Sequence, residues 1–313
     1  MKKNLFVAFA VLIVLASCTN SKETLSGFKY TLLRQGKGEK VDSGKYAVVN
    51  FFFKDAKDSL WNDTRKSGYP AVVMIGGDQF IKGDAVMEVL KKLNVGDSVT
   101  FSVKARTLFQ NTFRQNIPFG VDTAQSFVFN LGVQNLLTEE GKQKLQQEWV
   151  AKENAKMQKQ QQEQLTKDTL AIDDYLKAKN ITAQKTASGL RYVMLQPGKG
   201  DNAKAGEKVK VDYCGYLLST GTYFQCSSEA WAKEHGIFNE ANKPYSPLEL
   251  TLGMQQVIAG WEEAIQLMNK GAKMTVYIPS TLAYGNQRRS KEIVENSILV
   301  FDMELIDIEK MKK

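Results

Sequence analysis

Hydrophobic and polar positions divide the chain into four stretches. Residues 5–15 are an unbroken apolar run of eleven, well short of the roughly 20 that a membrane span needs. From residue 27 to about 137, short segments alternate apolar and polar side chains as half-buried strands do. The same texture returns from about residue 181 to the end. Between these two regions, residues 138–180 are rich in Gln, Lys and Glu, contain no Pro, and place apolar residues only sparsely, at Leu145, Trp149, Met157, Leu165, Leu170, Tyr175 and Leu176. This predicts a helix polar nearly all round, of the kind that bridges domains through solvent. At 1.5 Å per residue it can hold them up to about 60 Å apart. A dimerising helix stays open as the alternative, although the apolar positions keep no heptad over three or four repeats. In the last stretch, residues 260–268 (GWEEAIQLM) put Trp261, Ile265 and Met268 at i, i+4 and i+7, the face of a short amphipathic helix.

The two strand-like regions repeat one another. Residues 27–39 (GFKYTLLRQGKGE) match residues 189–201 (GLRYVMLQPGKGD) at six of 13 positions, each ending in a Gly-Lys-Gly turn. Residues 71–83 (AVVMIGGDQFIKG) match 248–260 (LELTLGMQQVIAG), and residues 126–129 match 298–301. Three matches in the same order predict two copies of one domain. Each reads as strands around a single short helix, an α+β unit with the helix packed on an antiparallel sheet. The expected organisation is a targeting segment at 1–18, a tether at 19–26, a first domain at 27–137, a helical linker at 138–180 and a second domain at 181–313.

Composition adds little. With 43% hydrophobic and 24% charged residues the chain is of ordinary globular make-up. The net charge of +8 comes from scattered lysines, which suits solubility and weak affinity for anionic surfaces rather than nucleic acid. The N-terminus is more informative. Lys2 and Lys3 precede the apolar run, which ends Leu15-Ala16-Ser17-Cys18, a signal-peptide layout. The four residues resemble a bacterial lipobox, in which the cysteine is lipidated. That resemblance implies anchoring at Cys18 to a membrane of the cell envelope, the outer membrane on its periplasmic or surface face being the expected one. An ordinary signal peptide with a chance cysteine is the alternative. Cys214 and Cys226 remain, too few for a CxxC-paired zinc site or a nucleophile constellation.

The second copy carries chemistry-bearing motifs. Residues 209–217 (VKVDYCGYL), 221–227 (GTYFQCS), 252–263 (LGMQQVIAGWEE), 278–285 (IPSTLAYG) and 299–305 (LVFDMEL) resemble the motif series of FKBP-type peptidyl-prolyl cis/trans isomerases, from about residue 189 to 309. The resemblance implies two FKBP-like domains, each an antiparallel sheet wrapped on a short helix, joined by the long polar helix. It also implies an apolar bowl with Trp261 as floor and Tyr213, Phe224, Val257, Ile258 and Phe301 as walls. Tyr284 and Gln225 stand at its edge, Leu248, Gln256 and Ile293 in further substrate-contacting positions, and the Ile258 N–H is free to bond the substrate. Such a site needs no cofactor and no metal. Its partners would be proline-containing unfolded or exported polypeptides.

The copy also departs from the pattern. Gln225 stands where the family has Asp, Leu248 replaces an aromatic wall, Gln256 sits where Glu is common, and the flap reads Ile293-Val-Glu-Asn296. Each change is expected to weaken or redirect binding without abolishing the bowl. In the first copy, alignment puts Phe51, Trp61 and Phe109 at the places of Tyr213, Phe224 and Tyr284, and Asp84 at that of Trp261, so no isomerase activity is expected from it. Residues 227–242, with the lone His235, are extra and read either as a lid on the pocket or as a decoration. Cys214 and Cys226 would lie nearly opposite one another, as a disulfide or as two buried thiols. The rival to an isomerase is a holdase or scaffold that keeps the pocket without useful turnover.

Overall fold

The computed structural model describes residues 21–76 and 83–309, and the chain divides into two compact units near residue 152. The targeting segment, Cys18 and residues 77–82 lie outside the described residues. Among the described residues no helix is long and apolar enough to cross a membrane.

In the first unit the strands are β1 (Ser21–Glu23), β2 (Lys29–Arg34), β3 (Tyr46–Lys54), β4 (Leu60–Asp63), β5 (Ala71–Met74), β6 (Ser98–Lys104) and β7 (Ser126–Leu137). Two short α-helices, α1 (Thr64–Ser67) and α2 (Ala85–Leu90), and a π-helical turn (Thr107–Thr112) join them. The strands run antiparallel in the order β1-β2-β6-β7-β3-β4, with β5 also on β3. Alternation along β6 turns Val99, Phe101 and Val103 inward beneath α2.

The chain then enters α3 (Glu139–Ala178), a single helix of 40 residues. Thr138 caps its start by accepting from the Gly141 N–H at 3.3 Å. Asn180, at a φ of 53°, ends it in the left-handed conformation that Asn tolerates. The buried side chains of α3 are Asp168, Ile172 and Leu176, all near its C-terminal end.

The second unit holds β8 (Gln184–Lys185), β9 (Arg191–Gln196), β10 (Lys199–Asn202), β11 (Lys208–Leu217), β12 (Tyr223–Cys226), α4 (Glu229–Glu234), β13 (Leu248–Thr251), α5 (Ala259–Gln266), β14 (Asn269–Lys270), β15 (Lys273–Ile278) and β16 (Leu299–Glu309). The main sheet runs β12-β11-β16-β15-β9-β8, with β13 also on β11, and β10 pairs with β14. This is the strand order of the first unit, element for element. The helix lies very close to the sheet: a Cβ on Gly260 would meet Ile278 Cγ2 at 2.4 Å.

Equivalent hydrogen bonds fix how the copies correspond. Ser26 Oγ donates to Glu88 on α2 at 2.6 Å, and Ser188 Oγ to Glu263 on α5 at 2.6 Å. The Leu93 carbonyl accepts from Val41 N–H, and the Met268 carbonyl from Ala203 N–H. With Glu88 on Glu263, the residue in the place of Trp261 is Val86, not Asp84. The glycine-anchored alignment is therefore shifted by two residues here. Asp84 is instead the N-cap of α2, accepting from Met87 N–H at 3.1 Å and Thr112 Oγ at 2.7 Å, so its carboxylate is not unpaired.

The expected tether also needs correction. Residues 21–23 pair with β2 in regular register. Thr24 and Ser26 are then pinned by Glu88, which accepts from Thr24 Oγ1 at 2.9 Å and from Ser26 N–H at 3.2 Å. A polar stretch without alternation gave no sign of this strand.

Candidate functional site

Strand alternation and one glycine build the bowl. On β11, Tyr213 and Gly215 face inward, and the register sets Gly215 opposite Phe301 of β16. A Cβ on Gly215 would stand 2.6 Å from Phe301 Cε1 and 2.7 Å from Phe224 Cε2, so the glycine is what lets these two rings meet there. They do so edge-on, with centroids 5.7 Å apart and planes at 83°. From the N-terminal turn of α5, Trp261 closes the bottom, edge-on to Phe301 at 5.2 Å and to Tyr213 at 4.8 Å. These perpendicular contacts are the preferred aromatic geometry. Trp261, Tyr213, Phe301 and Ile293 are buried, whereas Phe224, Val257, Ile258 and Tyr284 are half-exposed toward the opening.

The segment before α5 is held from both ends. Gln256 Oε1 accepts from Thr251 N–H at 2.9 Å, and Glu262 Oε2 from Gly253 N–H at 2.8 Å. Ile258, the N-cap of α5, gives its carbonyl to the helix. Among the described residues nothing accepts from its N–H. Above it, Tyr284 follows a turn begun by Ser280, and the Arg289 guanidinium lies 5.5 Å over the Tyr284 ring centroid.

The resulting cavity has a volume of about 380 Å³. All eleven side chains singled out from the second copy line it: Tyr213, Phe224, Gln225, Leu248, Gln256, Val257, Ile258, Trp261, Tyr284, Ile293 and Phe301. Three more that sequence reasoning missed also line it, namely Arg289, Ser290 and Glu292. They lie in the flap, where the family motif is least followed; the paired arginines just after Tyr284-Gly285 were the available sign. Ser290 shapes that flap, its Oγ accepting from Ile293 N–H at 3.0 Å.

Chemically the floor of the bowl is aromatic and uncharged. Burial, with a smaller effect of nearby Tyr284, pushes the Tyr213 hydroxyl up to about 12, so it stays protonated at neutral pH and can only donate or accept a neutral hydrogen bond. Among the described residues no cluster of three or more His, Cys, Asp or Glu could hold a metal ion. The arrangement suits shape and polarity selection of an uncharged group.

The extra segment does not cover the bowl. Trp231 and Ala232 of α4 pack with Ile237, Phe238 and Tyr245 against Cys214 and Cys226, and no residue of 227–242 lines the cavity. The lid reading fails on this placement. Ser227 and Asn242 of the segment instead wall a neighbouring cleft, together with Pro244 and Tyr245, and that cleft shares Tyr213, Phe224, Gln225 and Leu248 with the bowl. Cys214 and Cys226 face one another across β11 and β12 and form a disulfide. His235 stacks on Tyr223 at 3.8 Å, away from the bowl.

The first unit differs at one decisive position. Phe53 pairs with Phe129 as Gly215 pairs with Phe301. Its ring stacks on Phe129 at 5.7 Å and packs on Phe113 and Phe127, in the space that the glycine leaves open in the second unit.

Residues 199–306 match the family model described as FKBP-type peptidyl-prolyl cis-trans isomerase. FkpA of Aeromonas hydrophila, an FKBP-type peptidyl-prolyl cis-trans isomerase, is 32% identical over 207 residues, 64% of this chain and 70% of that protein. The chain belongs to the FKBP-type peptidyl-prolyl cis-trans isomerases. Other relatives extend the likeness. FkpA of Buchnera aphidicola subsp. Schizaphis graminum is 30% identical, covering 80% of this chain and 83% of its own. The outer membrane protein MIP of Legionella longbeachae is 30% identical over 68% and 86%. Among solved structures, Escherichia coli FkpA is 26% identical over 55% of this chain and 74% of that one, with a TM-score of 0.36.

Proposed function

We propose that the second unit turns over X-Pro peptide bonds by holding the prolyl amide, half rotated, in the Trp261-floored bowl. The supporting observation is the convergence of eleven singled-out side chains on one cavity of about 380 Å³, with the Ile258 N–H unengaged at its wall. Rotation about a peptide bond faces a barrier of about 18–20 kcal/mol because the amide loses resonance as it twists. Left alone, X-Pro bonds exchange in tens to hundreds of seconds. A twisted amide is less polar than a flat one, so a water-poor aromatic cavity favours it over the ground state. That differential is what lowers a barrier. The proline ring rests on the Trp261 indole, the Ile258 N–H takes the carbonyl before or after the bond, and the Tyr284 hydroxyl steadies the chain at the rim. No bond is made or broken and no proton is transferred.

The clients are proline-containing unfolded or exported polypeptides, and the workplace is the bacterial cell envelope, with the chain anchored by lipid at Cys18. The lipobox-like Leu15-Ala16-Ser17-Cys18 supports the anchor, and the outer-membrane relative from Legionella longbeachae supports the compartment. The first unit, its bowl position taken by Phe53, acts without turnover, as a client-holding or spacing element.

The test is tetrapeptide X-Pro isomerisation by the full chain, compared with Trp261→Phe. Wild-type turnover well above the uncatalysed rate, cut at least tenfold by the substitution, is the expected result. Turnover equal to buffer, with suppression of client aggregation intact, would overturn the isomerase mechanism in favour of a holdase.

A further inference from the structure

We propose that Asp168, on the long helix α3, is a positioning residue for the rim tyrosine Tyr284. The inference rests on the reading of the bowl given above and extends the machinery to a part of the chain that the matched family model, residues 199–306, does not include.

Most of α3 is exposed, and its buried side chains Asp168, Ile172 and Leu176 are spaced by four and so share one face. Ile172 and Leu176 do what such a face ordinarily does, packing on Leu218, Tyr277 and Val300. The third position departs from this. An apolar residue would extend the seam, yet a carboxylate only 3% exposed stands there. A buried carboxylate is costly unless its oxygens are bonded, and these are. Asp168 accepts from the Ser280 N–H at 2.7 Å, from the Ser280 Oγ at 2.5 Å and from Gln164 Nε2 at 2.7 Å.

Ser280 is fully buried and opens the turn that carries Tyr284. Its carbonyl accepts from Ala283 N–H at 2.9 Å and from Gly285 N–H at 2.8 Å. The Gly285 carbonyl in turn accepts from Asn296 N–H at 2.7 Å, in the flap. Tyr284 therefore lies inside a hydrogen-bonded loop whose gripped end is Ser280, and both donors of that residue go to one helix carboxylate. Removing the carboxylate leaves a buried N–H and O–H without partners, and the loop must shift to reach others. Docking of α3 does not need this grip: the Ile172–Leu176 seam and the Asp173–Arg191 ion pair at 3.0 Å hold the same part of the helix.

The experiment uses the full chain and an X-Pro tetrapeptide, at a temperature where every variant is folded by circular dichroism. Asp168→Ala is expected to lower kcat/KM about tenfold, since ångström-scale misplacement of a contributing group can cost up to about a hundredfold. Ser280→Ala, which keeps the backbone bond, should lose less and serves where Asp168→Ala does not fold. The discriminating readout is a double-mutant cycle with Tyr284→Ala. In that background Asp168→Ala and Ser280→Ala should cost almost nothing further, because a positioning residue acts only through the group it positions. Full activity in the single variants, or an undiminished loss in the Tyr284→Ala background, overturns the inference. An inactive wild-type chain would instead refute the isomerase reading. The same cycle is then run on tetrapeptide affinity, followed by the change in intrinsic tryptophan fluorescence on binding, where additivity again overturns the inference.

Discussion

Gly215→Ala is the sharpest probe of the bowl. The added Cβ would lie 2.6 Å from Phe301 and 2.7 Å from Phe224, against about 3.5–4.0 Å for a comfortable carbon contact. One or both rings must therefore retreat by about 1 Å. Phe301 is hemmed in by Trp261 and Tyr213, so the half-exposed Phe224 is the ring that yields, and the wall of the bowl moves with it. Overpacking of this kind costs roughly 1–3 kcal/mol, or a fall in Tm of about 2–4 °C per kcal/mol for a unit of this size. A wall displaced by about 1 Å should cost about 10- to 100-fold in kcat/KM, equivalent to roughly 1.4–2.7 kcal/mol of transition-state stabilisation. Tetrapeptide X-Pro isomerisation at 10 °C, with a parallel thermal melt, separates the two effects. A folded Gly215→Ala chain turning over within twofold of wild type would refute the placement of Phe224 and Phe301 in the reacting site.

Other expectations are smaller in scale. Tyr284→Phe should lower kcat/KM by about two- to twelvefold, the worth of one neutral hydrogen bond of roughly 0.5–1.5 kcal/mol, with little change in the thermal melt. At Glu88, burial pushes the carboxyl up, but hydrogen bonds from Ser26, Thr24 and Gly83 more than reverse it and leave the pKa below its usual value. The stability this contributes is therefore complete above the unfolded pKa of about 4.3 and is lost as pH falls through the folded value. Thermal melts of the first unit in the full chain should fall more steeply below about pH 4.3 for wild type than for Glu88→Gln, and identical slopes would contradict the assignment. Cys18→Ala should abolish incorporation of labelled fatty acid and move the protein from the membrane to the soluble fraction of expressing bacteria; an unchanged membrane fraction would count against the anchor.

The bowl was legible because its chemistry is concentrated in short strings. Residues 252–263 and 278–285 place Val257, Ile258, Trp261 and Tyr284 at fixed steps, and the strand period then sends Tyr213 and Phe301 to the same face. What stayed hidden had physical reasons. Asp168 sits on a helix where an acidic residue ordinarily meets water, and only the docked sheet makes it a buried acceptor. Residues 21–23 form an edge strand from Ser, Lys and Glu, which carry no apolar alternation. The two-residue shift that puts Val86 rather than Asp84 on Trp261 falls between β5 and α2, where Gly76, Gly77 and Gly83 invite a gapless alignment. The extra segment suggested a lid by its sequence position, but Trp231 found its apolar partner on the opposite face of the sheet.

The early start of β1 bears on where the protein can work. If the chain is fixed to lipid at Cys18, three residue steps lead to the first paired residue, Ser21, and three residues span at most about 11 Å. The polar headgroup layer on one side of a bilayer is itself about 5–8 Å deep. So short a link would leave the first unit resting on the headgroups, where scattered lysines are an asset, and unable to sweep a volume of solvent. Polypeptide emerging at the membrane would then be met at the surface, before it could diffuse away.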